Sequence, residues 1–443
     1  MIQDLTTGKP SHVLWRFSLP LLGSILFQQL YNIADSFVAG KFIGDNALAA
    51  VGNAYEVTLI YLAFATGCNI GCSVIVSQLF GGKRYKELKT AVSTCFIATT
   101  VICLLLTAAG YLFIPTLLTL IKVPEHILQD VMDYLDIYTL GLIFQFFYNI
   151  STGVFSALGD SKTPFIFLAI SSVSNIFVDI LFVVLGGGVK GVAWATFLCQ
   201  GVSAVLAFIT ILHRLKAIEC TEKVDPFSVP LLLKFLKIAI PSTLQQSFVS
   251  VGNMFIQSIV NNSGMLVIAG YSAVIKLQNL AITCMSTIGS AMSSFTAQNI
   301  GAGKHERVRE GFRACAGMGL TLAVFLSALY LLAGPYLIDI FRSADSADGV
   351  VDVGMRFIHI VSPFYVIITM KLIADAVLRG AGTMGRYMIA TFADLFLRVI
   401  LAFVFSSYLG EVGIWMAWPV GWGIAAALSL IFYFSGSWKK SLL

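Results

Sequence analysis

The chain has 443 residues, of which 58% are hydrophobic and only 12% charged, and its mean hydropathy is +0.87. Soluble domains carry roughly 25% charged residues, so this composition excludes an ordinary soluble enzyme and a disordered chain. The formal net charge of +5 follows from loop basicity and calls for no nucleic-acid partner.

Apolar runs of about 20 residues, enough to cross ~30 Å of hydrocarbon, recur from one end to the other. Twelve are legible, at 14–38, 48–76, 91–114, 131–153, 164–185, 191–212, 234–259, 267–295, 312–334, 355–378, 387–408 and 412–434. They predict an all-α membrane protein with twelve transmembrane helices. The opening "MIQDLTTGKPSHVLWRF" is short and polar, and no A-x-A-like cleavage site follows it, so the first span is expected to serve as its own insertion signal.

That first span carries Asp35 within "LYNIADSFVAG". A charge at the bilayer centre costs about 2.5–3.5 kcal/mol on insertion scales, so it calls for a function or a partner. The fifth span reads "SSVSNIFVDILFVV" and places Asn175 and Asp179 four residues apart, hence on one helix face. The sixth, "VAWATFLCQG", offers Thr196. Two carboxylates, an amide oxygen and a hydroxyl suit a hard cation, Na⁺ or H⁺, rather than a soft metal. Two acids sharing a low-dielectric site also resist ionising together. The plainer alternative is that Asp35 and Asp179 each bond a neighbouring helix.

The halves repeat. "VSQLFGGKRYKEL" follows the second span and "TAQNIGAGKHERV" the eighth, with Gln78 and Gly81 matching Gln298 and Gly301 at an offset of 220. Pro20 matches Pro241, and Pro115 matches Pro335. Six spans per copy preserve orientation, which predicts two parallel six-helix lobes related about the membrane normal. The charged loop "HRLKAIECTEKVDPFSVPLLLK" joins them, giving an N-lobe over 1–212, an inter-lobe loop over 213–233 and a C-lobe over 234–443. A ligand site near mid-membrane and alternating access suit such a duplication. With the N-terminus inside, twenty of the 28 Lys and Arg fall on the cytoplasmic side. The positive-inside rule therefore puts both termini in the cytoplasm, with the plasma (inner) membrane the expected location.

In the second half, span seven ("PSTLQQSFVSVGNMFIQSIV") has no acid. The in-span charges are Lys276, Lys371, Asp375, Asp394 and Arg398. Asp394 and Arg398, at i, i+4, are expected to neutralise each other. Asp375, Asp394, Arg398 and Lys276 remain candidates for substrate binding or gating. The eight cysteines read as packing residues, no histidine pair forms an HExxH-type motif, and "GGGVKG" is a turn rather than a phosphate cradle. These absences argue against an enzyme and against any cofactor.

"LYNIADSFVAGKFIGDNALAAVGNA", "VSQLFGGK" and "AQNIGAGK" together resemble the multidrug and toxic compound extrusion (MATE) family over essentially the whole chain. The resemblance implies a secondary antiporter that exports small organic, often cationic, compounds against inward Na⁺ or H⁺, functioning in the lipid bilayer as a monomer. It further implies a DinF-like first-lobe cation site at Asp35, Asn175, Asp179 and Thr196. The NorM-like second-lobe acid of span seven has no counterpart here. A flippase for lipid-linked oligosaccharides, whose families share this broad fold, is the alternative within transport.

Overall fold

In the computed structural model, residues 2–120, 123–220, 222–340, 349–439 and 442 are described, without the side chains of 30–37, 39, 40, 45 and 120. Among the described residues the chain is helical, with no strand. In chain order the helices are α1 (Pro10–Val38), which runs into a π-helical turn at Ala39–Ile43, α2 (Asp45–Gly81), α3 (Tyr85–Leu120), α4 (Glu125–Leu140), α5 (Leu142–Ala157), α6 (Lys162–Val184) and α7 (Gly188–Ala217). The second half continues with α8 (Val229–Asn261), α9 (Met265–Gly301), α10 (His305–Ile340), α11 (Val350–Val361), α12 (Tyr365–Gly380), α13 (Met384–Leu409) and α14 (Glu411–Phe434).

Nine described spans are long and apolar enough to cross a membrane, counting Val350–Gly380 as one, and α4 with α5 make a tenth that bends by 49°. Helices α1 and α8, of 29 and 33 residues, complete the twelve. The bend in span four falls at Gly141, between α4 and α5. Span ten is interrupted by a 3₁₀ turn at Ser362–Phe364, where Pro363 lacks the N–H that would continue the α-helical ladder.

The duplication holds at the level of single residues. Helices α2 and α9 are both 37 residues long, and α3 and α10 both 36. Gly44 and Gly264 hold positive φ (129° and 96°) at the turns that open α2 and α9, a backbone conformation that glycine adopts without steric cost. Packing repeats too. In the first half α2 packs on α3, α4 and α5, α6 on α7, and α5 on α7. In the second, α9 packs on α10, α11 and α12, α13 on α14, and α12 on α14.

The chain forms two compact units, and the repeats are not divided cleanly between them. One unit holds Leu19–Thr243; the other holds Leu5–Ser18 and Leu244–Leu442. The boundaries thus run through α1 and α8, beside Pro20 and Pro241. Each repeat's first helix therefore begins in one unit and continues in the other.

Within the first unit α2 and α5 approach at backbone distance. A Cβ on Gly153 would lie 2.8 Å from the Asn69 carbonyl oxygen, and Asn69 Nδ2 donates across the same contact to Asn149 O at 2.8 Å and to Thr152 Oγ1 at 2.7 Å. Gly153→Leu should lower the thermal midpoint and folded yield in detergent, with an overpacking cost of about 1–3 kcal/mol. Gly317→Leu on α10, where a Cβ meets nothing within 4 Å, should leave both unchanged.

Candidate functional site

In the first unit, the local sequence sets α6 against α7. At the start of α6, Asp160 accepts the Thr163 N–H at 3.1 Å and its hydroxyl at 2.7 Å, and pairs with Arg214 of α7 at 3.3 Å. Deeper in the helices, Ser171 Oγ donates to the Cys199 carbonyl at 3.2 Å. Asn175 and Asp179, one turn apart on α6, are fully buried, as is Thr196 on α7. Each of the three engages another group. Intramembrane acids generally mark ion or proton pathways.

Asp35 is the fourth residue of the predicted set, and its side chain lies outside the described residues. The backbone that carries it is placed. Phe27 of α1 meets Phe165 of α6 edge to face, with ring centroids 5.8 Å apart, and the π-helical turn at Ala39–Ile43 packs against both α6 and α7. From that ring contact Asp35 is a rise of about 12 Å along α1, and Asn175 about 15 Å along α6. Helical irregularities of the π type are frequent at functional sites.

The second unit holds a different polar cluster, and it corrects one expectation. Asp394 and Arg398 of α13 are both buried, yet they form no ion pair. Arg398 instead lies over the Trp418 ring of α14, 4.3 Å from its centroid. Asp394 Oδ1 is buried without a hydrogen-bond partner, facing Gly421, where an added Cβ would come within 3.0 Å of it. The ion pair is one helix over. Lys371 Nζ donates to Asp375 Oδ2 at 2.8 Å, and Ser429 of α14 donates to Asp375 Oδ1 at 2.6 Å. Lys371 and Asp375 also stand at i, i+4, so spacing alone did not separate the true pair from the false one. A cation over an indole face is stabilised by the ring quadrupole, and α14 supplies that face where the sequence of α13 could not reveal it.

Lys276 engages another group. It sits on the exposed face of α9, whereas Tyr271 and Gln278 of the same helix are buried. Around Arg398 the structure adds an aromatic core that sequence reading did not single out. Trp415 stacks on Tyr271 with centroids 5.2 Å apart, and Trp418 meets Trp422 at 5.8 Å. The i, i+3, i+7 spacing of Trp415, Trp418 and Trp422 was the available signal.

Twelve spans in a parallel duplication, each half with its own buried polar set, define a polytopic membrane transporter. The sequence matches the MatE family over residues 20–181 and 241–404. It is 30% identical to the "Probable multidrug resistance protein YpnP" of Bacillus subtilis (strain 168), over 99% of this chain and 98% of that relative. It is 24% identical to a "Probable multidrug resistance protein NorM" of Thermotoga maritima, over 96% and 92% of the two chains. Among solved structures, a MOP-superfamily transporter from Pyrococcus furiosus superposes with a TM-score of 0.92 at 21% identity, over 99% and 98% of the two chains. A multidrug resistance MATE transporter in an outward-facing conformation gives 0.91 at 23% identity, over 99% of each. The chain belongs to the MatE family.

The Lys371–Asp375 pair yields a stability prediction. Lys371→Ala should leave a buried carboxylate unpaired and cost about 3–5 kcal/mol, read as a lowered thermal midpoint in detergent. The double variant Lys371→Ala/Asp375→Ala, which removes both charges, should be more stable than Lys371→Ala alone.

Proposed function

We propose that this protein is a secondary antiporter exporting organic, often cationic, compounds in exchange for H⁺ or Na⁺. Asp35, Asn175, Asp179 and Thr196 form the coupling-ion site in this reading. The observation that carries it is the burial of Asn175, Asp179 and Thr196 on the packed helices α6 and α7, with the Asp35-bearing helix α1 leading into a π-helical segment packed on both helices. The relatives' names as multidrug resistance proteins support the substrate class. Orientation with both termini in the cytoplasm, plasma-membrane location and action as a monomer belong to the same reading.

The chemistry is charge exchange. With two carboxylates ionised, the site attracts a cation. Binding of H⁺ or Na⁺ neutralises it, weakens its hold on a drug cation and favours release, and the effect of each ligand on the other's affinity is reciprocal. Asn175 and Thr196 contribute neutral oxygens that complete a shell for a hard cation. The flippase reading has less support. A lipid pyrophosphate calls for free basic groups, and here Lys371 is bonded to Asp375 while Arg398 is stacked on Trp418.

Asp35→Asn and Asp179→Asn should each reduce export of a lipophilic cation such as ethidium, in everted vesicles energised by a pH or Na⁺ gradient, to the level of empty vesicles. Folded yield should persist, because the amide preserves size and much of the hydrogen bonding. Asp394→Asn should leave export in place. Full export by Asp35→Asn and Asp179→Asn would reject the proposed site.

A further inference from the structure

The turn "GGGVKG" joins α6 to α7 at the end of both helices away from the Asp160–Arg214 pair. Beside it, within the first unit, Phe182 and Leu185 of the α6 side and Lys190, Trp194 and Leu198 of α7 line a cavity of about 600 Å³. Glycines make the room. A Cβ on Gly191 would meet the Phe182 carbonyl carbon at 3.2 Å, and one on Gly187 would lie 2.8 Å from the Phe182 oxygen. The helices therefore touch through main chain, while Leu185, Trp194 and Leu198 around that contact stand exposed. The volume is in the range of small-molecule sites, ~300–1,000 Å³, and far exceeds a single ion.

Lys190 is the cation of this cavity. Its Nζ lies 3.1 Å from Asp133 Oδ2 of α4, and the two side chains are 60% and 18% exposed. Asp133 Oδ1 also accepts from Gln129 Nε2 at 3.0 Å. Ion pairs this exposed hold weakly, and an ammonium has three donors, so Lys190 can serve a second acceptor. Helix α4 carries Glu125, Asp130 and Asp136 besides Asp133, and neither Lys nor Arg. One positive charge set against an acidic helix suits neither a purely anionic nor a purely cationic ligand. It suits a zwitterion whose anion meets Lys190 and whose cation meets Asp133.

The remaining surface is apolar. Exposed residues continue from Leu198 to Val202 and Val205 on α7, and from Leu185 to Leu181 and Phe177 on α6. Spacings of three and four keep each series on one helix face. Helix α6 is also the least buried of the nine described spans. Trp194, one turn inside Lys190, occupies the kind of position that tryptophans take between headgroups and hydrocarbon.

We propose that this cavity binds the headgroup of a phosphatidylethanolamine, with its phosphate on Lys190, its ammonium on Asp133 and its acyl chains along the exposed faces of α6 and α7. The primary ammonium is the discriminating group. Its N–H groups donate charge-assisted bonds to a carboxylate, whereas a quaternary choline has none to give. A phosphatidylglycerol would bring the phosphate but set its charge, without a cation, against the acids of α4. The site is exposed where Asn175, Asp179 and Thr196 are buried, and it does not rest on the antiport reading.

The test is native mass spectrometry of the full-length protein, equilibrated in detergent with equimolar phosphatidylethanolamine, phosphatidylglycerol and phosphatidylcholine of identical acyl chains. The wild type should retain phosphatidylethanolamine severalfold over each of the others. Lys190→Ala should abolish that preference, as should Leu198→Trp, which fills the cavity and leaves the charge pair in place. Both positions are exposed, so neither change disturbs the core, and Lys190→Arg should keep the preference. Equal retention of the three lipids by the wild type, or a preference that survives either Lys190→Ala or Leu198→Trp, would overturn the site. Free phosphoethanolamine at the lipid's own concentration should displace none of it, and full displacement would overturn the role given to the acyl chains. No drug or gradient enters this measurement, so it and the antiport reading fail independently.

Discussion

Inside hydrocarbon no water is available to satisfy a charge or a peptide group, so each buried polar atom must be matched by the protein or by a ligand. This constraint explains why the polar residues of the chain occur in sets. On α6 and α7, Asn175, Asp179 and Thr196 are each buried. On α12 and α14, Lys371, Asp375 and Ser429 complete one another through bonds of 2.8 and 2.6 Å. Arg398 lies over the face of Trp418, while its Nε has no hydrogen-bond partner. The same electrostatic pressure thus bears on a candidate site in one place and a structural pair in another.

The two units answer this pressure differently although the order and packing of their helices repeat. In the first unit Asp179 is buried on a helix that also carries the buried Asn175, and in the proposed reading an exchangeable cation neutralises it. In the second unit Asp375 has a resident cation, Lys371, which occupies the role an exchangeable ion would take. Duplication fixed the scaffold, and the side chains placed on it divided the tasks. This asymmetry is why the ion-coupling role is assigned to the first unit.

Much of this was legible in the sequence. A span is specified by length and hydropathy over about 20 residues, both local properties, and the offset of 220 between Gln78 and Gln298 reappears in the equal lengths of α2 and α9. Departures from regularity were less visible. The bend at Gly141 and the break at Ser362–Phe364 depend on packing by neighbouring helices as much as on the glycine or proline. The Asp394–Arg398 pairing was misjudged because i, i+4 spacing says only that two groups are within reach, whereas the choice of partner was made by Trp418 from another helix. Lys371, Asp375 and Arg379 offered the same ambiguity. The structure pairs Asp375 with Lys371 and directs Arg379 Nε toward Ser293 Oγ at 3.5 Å. The bonds from Leu5 N–H to Gln298 Oε1 and from Lys304 Nζ to the Thr6 carbonyl were invisible for a related reason, since they join positions nearly 300 residues apart.

The central claim is that drug and coupling ion are linked through one carboxylate cluster. Its most direct test is equilibrium binding of ethidium to purified protein in detergent, across pH 5 to 9 and with and without Na⁺. Deprotonation at high pH, or removal of Na⁺, restores negative charge to the Asp35–Asp179 cluster, so the account predicts tighter ethidium binding in the wild type and little change in Asp35→Asn. Wild-type affinity that stays flat across the pH range and across Na⁺ concentrations would contradict it.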